Sequence, residues 1–162
     1  MDTLPTPAPA ASAGAPPPEA PVVVRTPRGG FRSEVEAGGH RMVVDEPASV
    51  GGTGAGPTPY DFLLAGLGAC TGMTLRMYAD RKGWPLEEVV VKLSHGRTHA
   101  ADCENCQSPQ SRVDRVDREI QLTGPLDEAQ RARLLQIANQ CPVHRTLAAG
   151  FQVETRLAEP AG

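Results

Sequence analysis

Four cysteines and three of the four histidines carry most of the reactive potential of this 162-residue chain, and they fall into two groups. Cys70 stands alone in the middle of a long apolar stretch, and Cys141 stands just before Pro142, with His144 and Arg145 close behind. The other group is compact: His95, His99, Cys103 and Cys106, with Asp102 beside them. A thiol is a nucleophile or a soft ligand only as its thiolate, so the question for each cysteine is what would stabilise negative charge. Cys141 has a clear answer. A residue directly before a helix-starting proline faces unpaired N–H groups and the positive end of the helix dipole. Cys70 has no such answer, and a lone mid-helix cysteine also serves as a small hydrophobe. Electrostatics alone therefore makes Cys141 the better nucleophile.

The compact group suits borderline-soft Zn²⁺, which takes thiolate and imidazole. A redox-active CxxC and an unliganded loop remain open beside it. His95 and His99 fall on one face of a strand but about 13 Å apart at ~3.3 Å per residue, too far to share one ion without a break. Any zinc site is thus expected at His99, Cys103 and Cys106, completed by Asp102 or water.

These residues need elements to hold them. Thr58, Pro59 and Asp61 spell a helix start: hydroxyl cap, proline at the first position and carboxylate at the third. Gly83, after Arg81 and Lys82, spells its end. Between them the helix is apolar almost all round, so it is expected to be covered on most sides. Gly66, Gly68 and Gly72 each cost about 1 kcal/mol in a helix, which predicts the close approach of another backbone. Upstream, Val22–Arg25, Phe31–Glu36 and His40–Asp45 alternate between Pro/Gly turns as an antiparallel meander, followed by a glycine-rich loop over 46–57. Downstream, strands at 86–97 and 112–123 form a long hairpin around the cysteine-bearing loop. Asp127 with Gln130 opens a helix ending near Gln140. Cys141 caps a second helix running to Gly150, and Phe151–Leu157 alternates as a closing strand. The order is that of an α+β fold.

Composition limits the function classes. A net charge of −3 with no Lys/Arg block gives no footprint for nucleic acid. The apolar run between Asp61 and Arg76 is too short to span a bilayer, which argues against a membrane role. Residues 1–20, mostly Pro and Ala, lack a basic start and an apolar core, so they are expected to be a disordered tail rather than a secretory signal. The expected folded region is 21–158 and the expected compartment is the cytoplasm, where cysteines serve chemistry or metal more than structural disulfides.

The run Gly56-Pro-Thr-Pro-Tyr-Asp-Phe-Leu-Leu-Ala-Gly-Leu-Gly-Ala-Cys70 and the run Asn139-Gln-Cys-Pro-Val-His-Arg-Thr-Leu147 resemble the OsmC/Ohr family. These are the osmotically inducible protein C and organic hydroperoxide resistance proteins. Asp45-Glu-Pro47 and Gly51-Gly52 fit the same pattern, and the resemblance spans about residues 22–157. It implies an OsmC-like α+β fold, antiparallel sheets around a long central helix, in an intertwined homodimer with the central helices in its interface. It also implies thiol-dependent reduction of organic hydroperoxides, with no required cofactor. On that resemblance Cys70 is the peroxidatic thiolate and Cys141 the resolving thiol, and an external dithiol reduces their disulfide. The peroxidase branch carries a Glu ten residues before the first cysteine and an N-terminal Arg. Here the matching position is Tyr60, with Asp61 beside it, and the arginine candidates are Arg25, Arg28 and Arg32. This places the chain nearer the OsmC-like branch. It leaves two other functions open: a non-catalytic small-molecule-binding protein and a thiol or zinc redox sensor.

Overall fold

The computed structural model describes residues 21–99 and 112–158. The chain forms two compact units, one ending at Pro57 and one beginning at Thr58.

The N-terminal unit is an antiparallel meander. Strand β1 (Val23–Arg25) pairs with β2 (Ser33–Ala37), and β2 pairs with β3 (His40–Val44), in that spatial order. The register sets Val24 opposite Val35 and Val35 opposite Met42. Gly38 and Gly39 make the tight turn between β2 and β3, both at positive φ. After β3 the loop is gathered on one carboxylate. Asp45 is 1% exposed and accepts from the Thr53 hydroxyl at 2.6 Å and from the N–H groups of Glu46, Thr53 and Ala55 at 2.8, 3.0 and 3.1 Å. Those donors, the Thr53 hydroxyl and Ala55 N–H foremost, hold its pKa far below the usual carboxylate range against the opposing pull of burial. The loop is wound so tightly that a Cβ at Gly52 would lie 1.8 Å from the Glu46 carbonyl oxygen. Only glycine fits there.

The C-terminal unit is built on helix α1 (Pro59–Lys82). Its cap is the one the sequence spells. The Thr58 hydroxyl accepts from Asp61 N–H at 3.2 Å, and the Asp61 carboxylate accepts from Thr58 N–H at 2.8 Å, a closed capping box. Gly83, in the left-handed region, closes the far end. Strands β4 (Glu88–His99) and β5 (Arg112–Thr123) form the long antiparallel hairpin, with Glu88 opposite Thr123 and His99 opposite Arg112. β4 begins two residues later than its alternation suggests. Leu86 is drawn instead into the core, and Arg76 ties down the carbonyls of Leu86 and Glu87. Helix α2 (Glu128–Ala138) opens with the Asp127–Gln130 capping box and ends at Ala138, short of Gln140. Helix α3 (Pro142–Ala149) follows with Cys141 as its cap. The result is α+β, with three α-helices and two antiparallel sheets among the described residues.

The core of this unit joins Leu75 and Ala79 of α1 to Leu86, Leu126, Leu134 and Ala138. Complete burial of an aliphatic side chain such as Leu75 or Leu134 contributes about 1.5–3 kcal/mol.

One expectation is corrected here, and two are not met within the single chain. Residues 151–157 form no strand: Val153 is 82% and Leu157 97% exposed. Alternation supplies a face but not a neighbour, and the segment pairs with neither β4 nor β5, the strands of its own unit. Helix α1 is not covered on most sides within the chain. Its buried residues, Leu67, Thr71, Leu75 and Ala79, form one line four apart, while Met73 and Met77 are 71% and 64% exposed. Nor does another backbone approach its glycines. Gly66 and Gly72 face open space, and a Cβ on Gly68 would meet only the Leu93 side chain.

Candidate active site

Cys70 projects from the middle of α1, and Cys141 sits at the turn where α2 gives way to α3. Pro142 makes that turn, because it cannot continue α2 but is preorganised for the first position of α3. The two thiols are unbridged and each shifts the other's ionisation, although 71 positions separate them (141 − 70). Their surroundings differ. Cys141 is completely buried, whereas Cys70 is half-buried and opens onto a trough of about 710 Å³. Met73, Met77, Ile137 and Pro142 supply its apolar wall, and Tyr78, Arg81 and Arg133 stand at its polar end. Arg133 Nε donates to the Tyr78 hydroxyl at 3.2 Å.

Burial pushes the Cys70 thiol up, and the neighbouring Cys141 pushes it further. Burial is also the largest single influence on Cys141 and would raise it. It is outweighed by Cys70 as donor, by the N–H groups of His144 and Val143, and by the Thr71 hydroxyl, so that Cys141 lies below an ordinary thiol. No side-chain hydrogen bond from Cys141 closes the cap of α3. His144 does not add the positive charge its position suggests. Burial first, and the Arg118 guanidinium second, hold its pKa down and keep the imidazole neutral.

Arg118 is the residue the sequence did not single out. Its Nη1 donates to Thr71 Oγ1 at 3.0 Å and to the Ala138 carbonyl at 3.3 Å, and its Nη2 donates to Asn139 Oδ1 at 2.8 Å. Thr71 is itself fully buried and donates to the Leu67 carbonyl at 2.8 Å. A signal was present. Arg118 shares its side of β5 with Ile120 and Leu122, an arginine at an inward parity among apolar neighbours.

Of the remaining sequence candidates, Tyr60, Asp61, Arg25 and Arg32 have local partners. Tyr60 stacks on His95, ring centroids 4.1 Å apart, and His95 Nε2 lies 2.9 Å from Asp114 Oδ1. Asp61 is held in the capping box, where the Thr58 N–H and then its hydroxyl lower its pKa. In the N-terminal unit Arg25 pairs with Glu36 at 3.3 Å, Arg32 with Glu34 at 3.1 Å, and Arg28 is exposed. The proposed zinc ligands Cys103 and Cys106, with Asp102, lie outside the described residues, as does the side chain of His99. β4 runs unbroken through His95 and His99. Among the described residues no group of three or more His, Cys, Asp or Glu is placed to hold a metal ion.

The family model for OsmC-like protein matches residues 52–156, more than half of the chain. The chain belongs to the OsmC-like protein family. No curated protein sequence matches this OsmC-like chain at a significant level. Solved structures do. An OsmC-like protein from Mycoplasma pneumoniae is similar at TM-score 0.57 and 20% identity, over 72% of this chain and 79% of that one. An organic hydroperoxide resistance protein OsmC from Legionella pneumophila is similar at 0.56 and 20%, over 78% and 88%. The organic hydroperoxide resistance protein OhrB of Bacillus subtilis is similar at 0.54 and 18%, over 77% and 87%. At these identities the likeness is one of fold. No helix among the described residues is long and apolar enough to cross a membrane.

Proposed function

We propose that this OsmC-like protein reduces organic hydroperoxides with Cys70 and Cys141 as its redox pair. The observation that carries the proposal is Cys70 opening onto the apolar trough while Cys141, the thiol to which its ionisation is coupled, is buried and does not line it. The Cys70 sulfur attacks the terminal peroxide oxygen, the O–O bond breaks, and an alcohol leaves. Cys70 is then a sulfenic acid. Cys141 attacks that sulfur, forming the disulfide and releasing water, and an external dithiol returns both thiols by exchange. In sum, two thiols and one hydroperoxide give one disulfide, one alcohol and one water. The apolar wall of Met73, Met77 and Ile137 favours an organic over an inorganic peroxide. No metal or other cofactor takes part in this sequence of steps.

The working form is a homodimer in the cytoplasm, in which a second copy covers the bare face of α1. Support comes from Met73 and Met77, both exposed, beside Gly66 and Gly72, which face open space. The test is stoichiometric cumene hydroperoxide with peptide mapping of disulfides. A Cys70–Cys141 disulfide should appear, and Cys70→Ser should consume no peroxide through this pair. A Cys70→Ser variant consuming peroxide at the wild-type rate would overturn the assignment.

A second function, non-catalytic binding of an apolar ligand in the trough, is favoured by one observation. Tyr60 stands where the peroxidase branch carries its glutamate, and it is engaged with His95. Tight ligand binding without peroxide consumption would select that alternative.

A further inference from the structure

The trough has two unlike ends. Cys70 opens onto one, and Tyr78 lies eight residues further along α1, about 12 Å away at ~1.5 Å of helix rise per residue. Three cations gather on the Tyr78 ring. The guanidinium carbons of Arg81 and Arg133 lie 5.5 and 5.8 Å from its centroid, and the Lys82 ammonium nitrogen lies at 6.0 Å. The Arg133 hydrogen bond to the Tyr78 hydroxyl, followed by the charges of Arg133, Lys82 and Arg81, lowers the pKa of the tyrosine.

Among the described residues none of the three cations meets a carboxylate. Asp80, their neighbour in sequence, is held by Arg76 at 3.5 Å, and Arg133 Nη1 donates to Gln136 Oε1 at 2.9 Å. No Asp or Glu lines the trough. Arg81 and Lys82 stand in the last turn of α1, where cations suit the helix dipole. That accounts neither for Arg133, which comes from the middle of α2, nor for the meeting of all three on one ring. Like charges gathered there repel one another, and an anion among them relieves the repulsion.

We propose that Arg81, Lys82 and Arg133, set around Tyr78, form a subsite for the carboxylate of an amphipathic ligand whose apolar chain lies along the trough toward Cys70. The subsite rests on the trough as a binding surface, common to both functions proposed above, and adds a ligand class: an apolar chain with one anionic head. The Tyr78 O–H and Arg133 Nη2, neither of which donates to a described residue, are the hydrogen-bond donors for that head, with Arg81 and Lys82 adding charge. A volume of about 710 Å³ suits a small-molecule pocket, for which about 300–1,000 Å³ is usual.

Trp84, the one tryptophan of the chain, meets the Tyr78 ring edge-on at 5.6 Å, so its fluorescence reports on the cluster. The test titrates the full chain with decanoate and, as the uncharged control, decan-1-ol, at concentrations where both stay dissolved, with calorimetry beside the fluorescence. Wild type should bind decanoate about tenfold more tightly than decan-1-ol, the size of one charge-assisted hydrogen bond. The double substitution Arg81→Gln, Arg133→Gln should abolish that preference and leave decan-1-ol binding unchanged, and the corresponding double lysine variant should keep most of it. Added salt should shrink the preference in the wild type, a measurement that decides the matter even if the glutamine variant fails to fold. Bound decanoate should also slow alkylation of Cys70 by uncharged iodoacetamide, followed by peptide mass. Equal affinity of the wild type for the two probes overturns the proposal. So does a preference indifferent to salt, a decanoate affinity unmoved in the folded glutamine variant, or unslowed alkylation of Cys70 at saturating decanoate. A glutamine variant that changes mass on light scattering while keeping its decanoate affinity assigns the cluster to a second copy and overturns it equally. None of these measurements needs peroxide turnover. A protein that consumes no peroxide therefore leaves the subsite standing, and loss of the decanoate preference leaves the Cys70–Cys141 pair untouched.

Discussion

Two faces of helix α1 have the same apolar character in sequence and opposite surroundings in the fold. One carries Leu67, Thr71, Leu75 and Ala79, all buried against the hairpin and the two shorter helices. The other carries Met73 and Met77 beside exposed Gly66 and Ala69, lines the open trough, and touches almost nothing. Cys70 stands between them, its ionisation coupled to the buried Cys141 and its thiol open to the trough. The difference shows that the helix is more apolar than its own chain requires. A buried stripe stabilises the unit, and the surplus must serve a ligand, a second copy, or both.

The largest expected effect falls on the buried face. Leu75→Ala removes a fully buried side chain from the middle of the core and should destabilise the C-terminal unit by about 2–5 kcal/mol. Urea unfolding followed by far-ultraviolet dichroism measures it, and a loss under about 1 kcal/mol would mean that this face is less tightly packed than its burial indicates. Next in size is a charge on the bare face. With a second copy covering α1, Met77→Asp places a carboxylate in an apolar interface and should convert a dimer to a monomer on light scattering. A wild-type protein that is already monomeric at every concentration ends the dimer proposal.

The bounds of helix α1 were legible in the sequence because their determinants are local. Thr58, Pro59, Asp61 and Gly83 mark α1 by chemistry that acts within one turn, and Pro142 marks the α2–α3 break in the same way. The hairpin was legible because its alternation and its register agree from Glu88 to His99. What could not be read depends on partners distant in sequence. Residues 151–157 alternate as a strand would, yet pairing needs an edge that no pattern names. Arg118 looked like one charge among several on β5, and its role appears only when Thr71, 47 positions away, and Asn139, 21 away, are brought to it. Asp45 was noticed as part of a motif, but three of its four donors are backbone N–H groups, which leave no mark in a sequence.

The N-terminal cap sharpens the comparison at one end of the helix, where stability is local rather than shared. Thr58→Ala should cost about 1 kcal/mol and increase hydrogen exchange in the first turn, while amides near Leu75 lose protection only through global unfolding. Acid should act on the same turn. The Asp61 pKa is lowered in the fold, so its contribution is present above the unfolded value of about 3.9 and is lost as pH falls through the folded value. First-turn amides should therefore lose protection below about pH 4 ahead of those at the Leu75 end. Simultaneous loss at both ends would show that the cap is not an independent element.

The smallest effect is the most discriminating between the two faces. Met73→Ala removes a side chain that is 71% exposed, so within one chain almost no contact is lost. For an isolated monomer the change should lie within about 0.5 kcal/mol of wild type, the usual range for surface substitutions. Alanine also has the better helix propensity, which shifts the balance slightly toward stabilisation. If a second copy covers this face, the same substitution opens a gap in a packed interface. The loss then adds to the free energy of association, so it should be full while both proteins are dimeric, shrink as they are diluted through their dissociation constants and vanish once both are monomeric. The measurement is the unfolding midpoint of wild type and Met73→Ala across a dilution series. Parallel, concentration-independent curves would leave the trough as a ligand surface only. Curves that separate within the dimer's range and converge on dilution assign the bare face to the second copy.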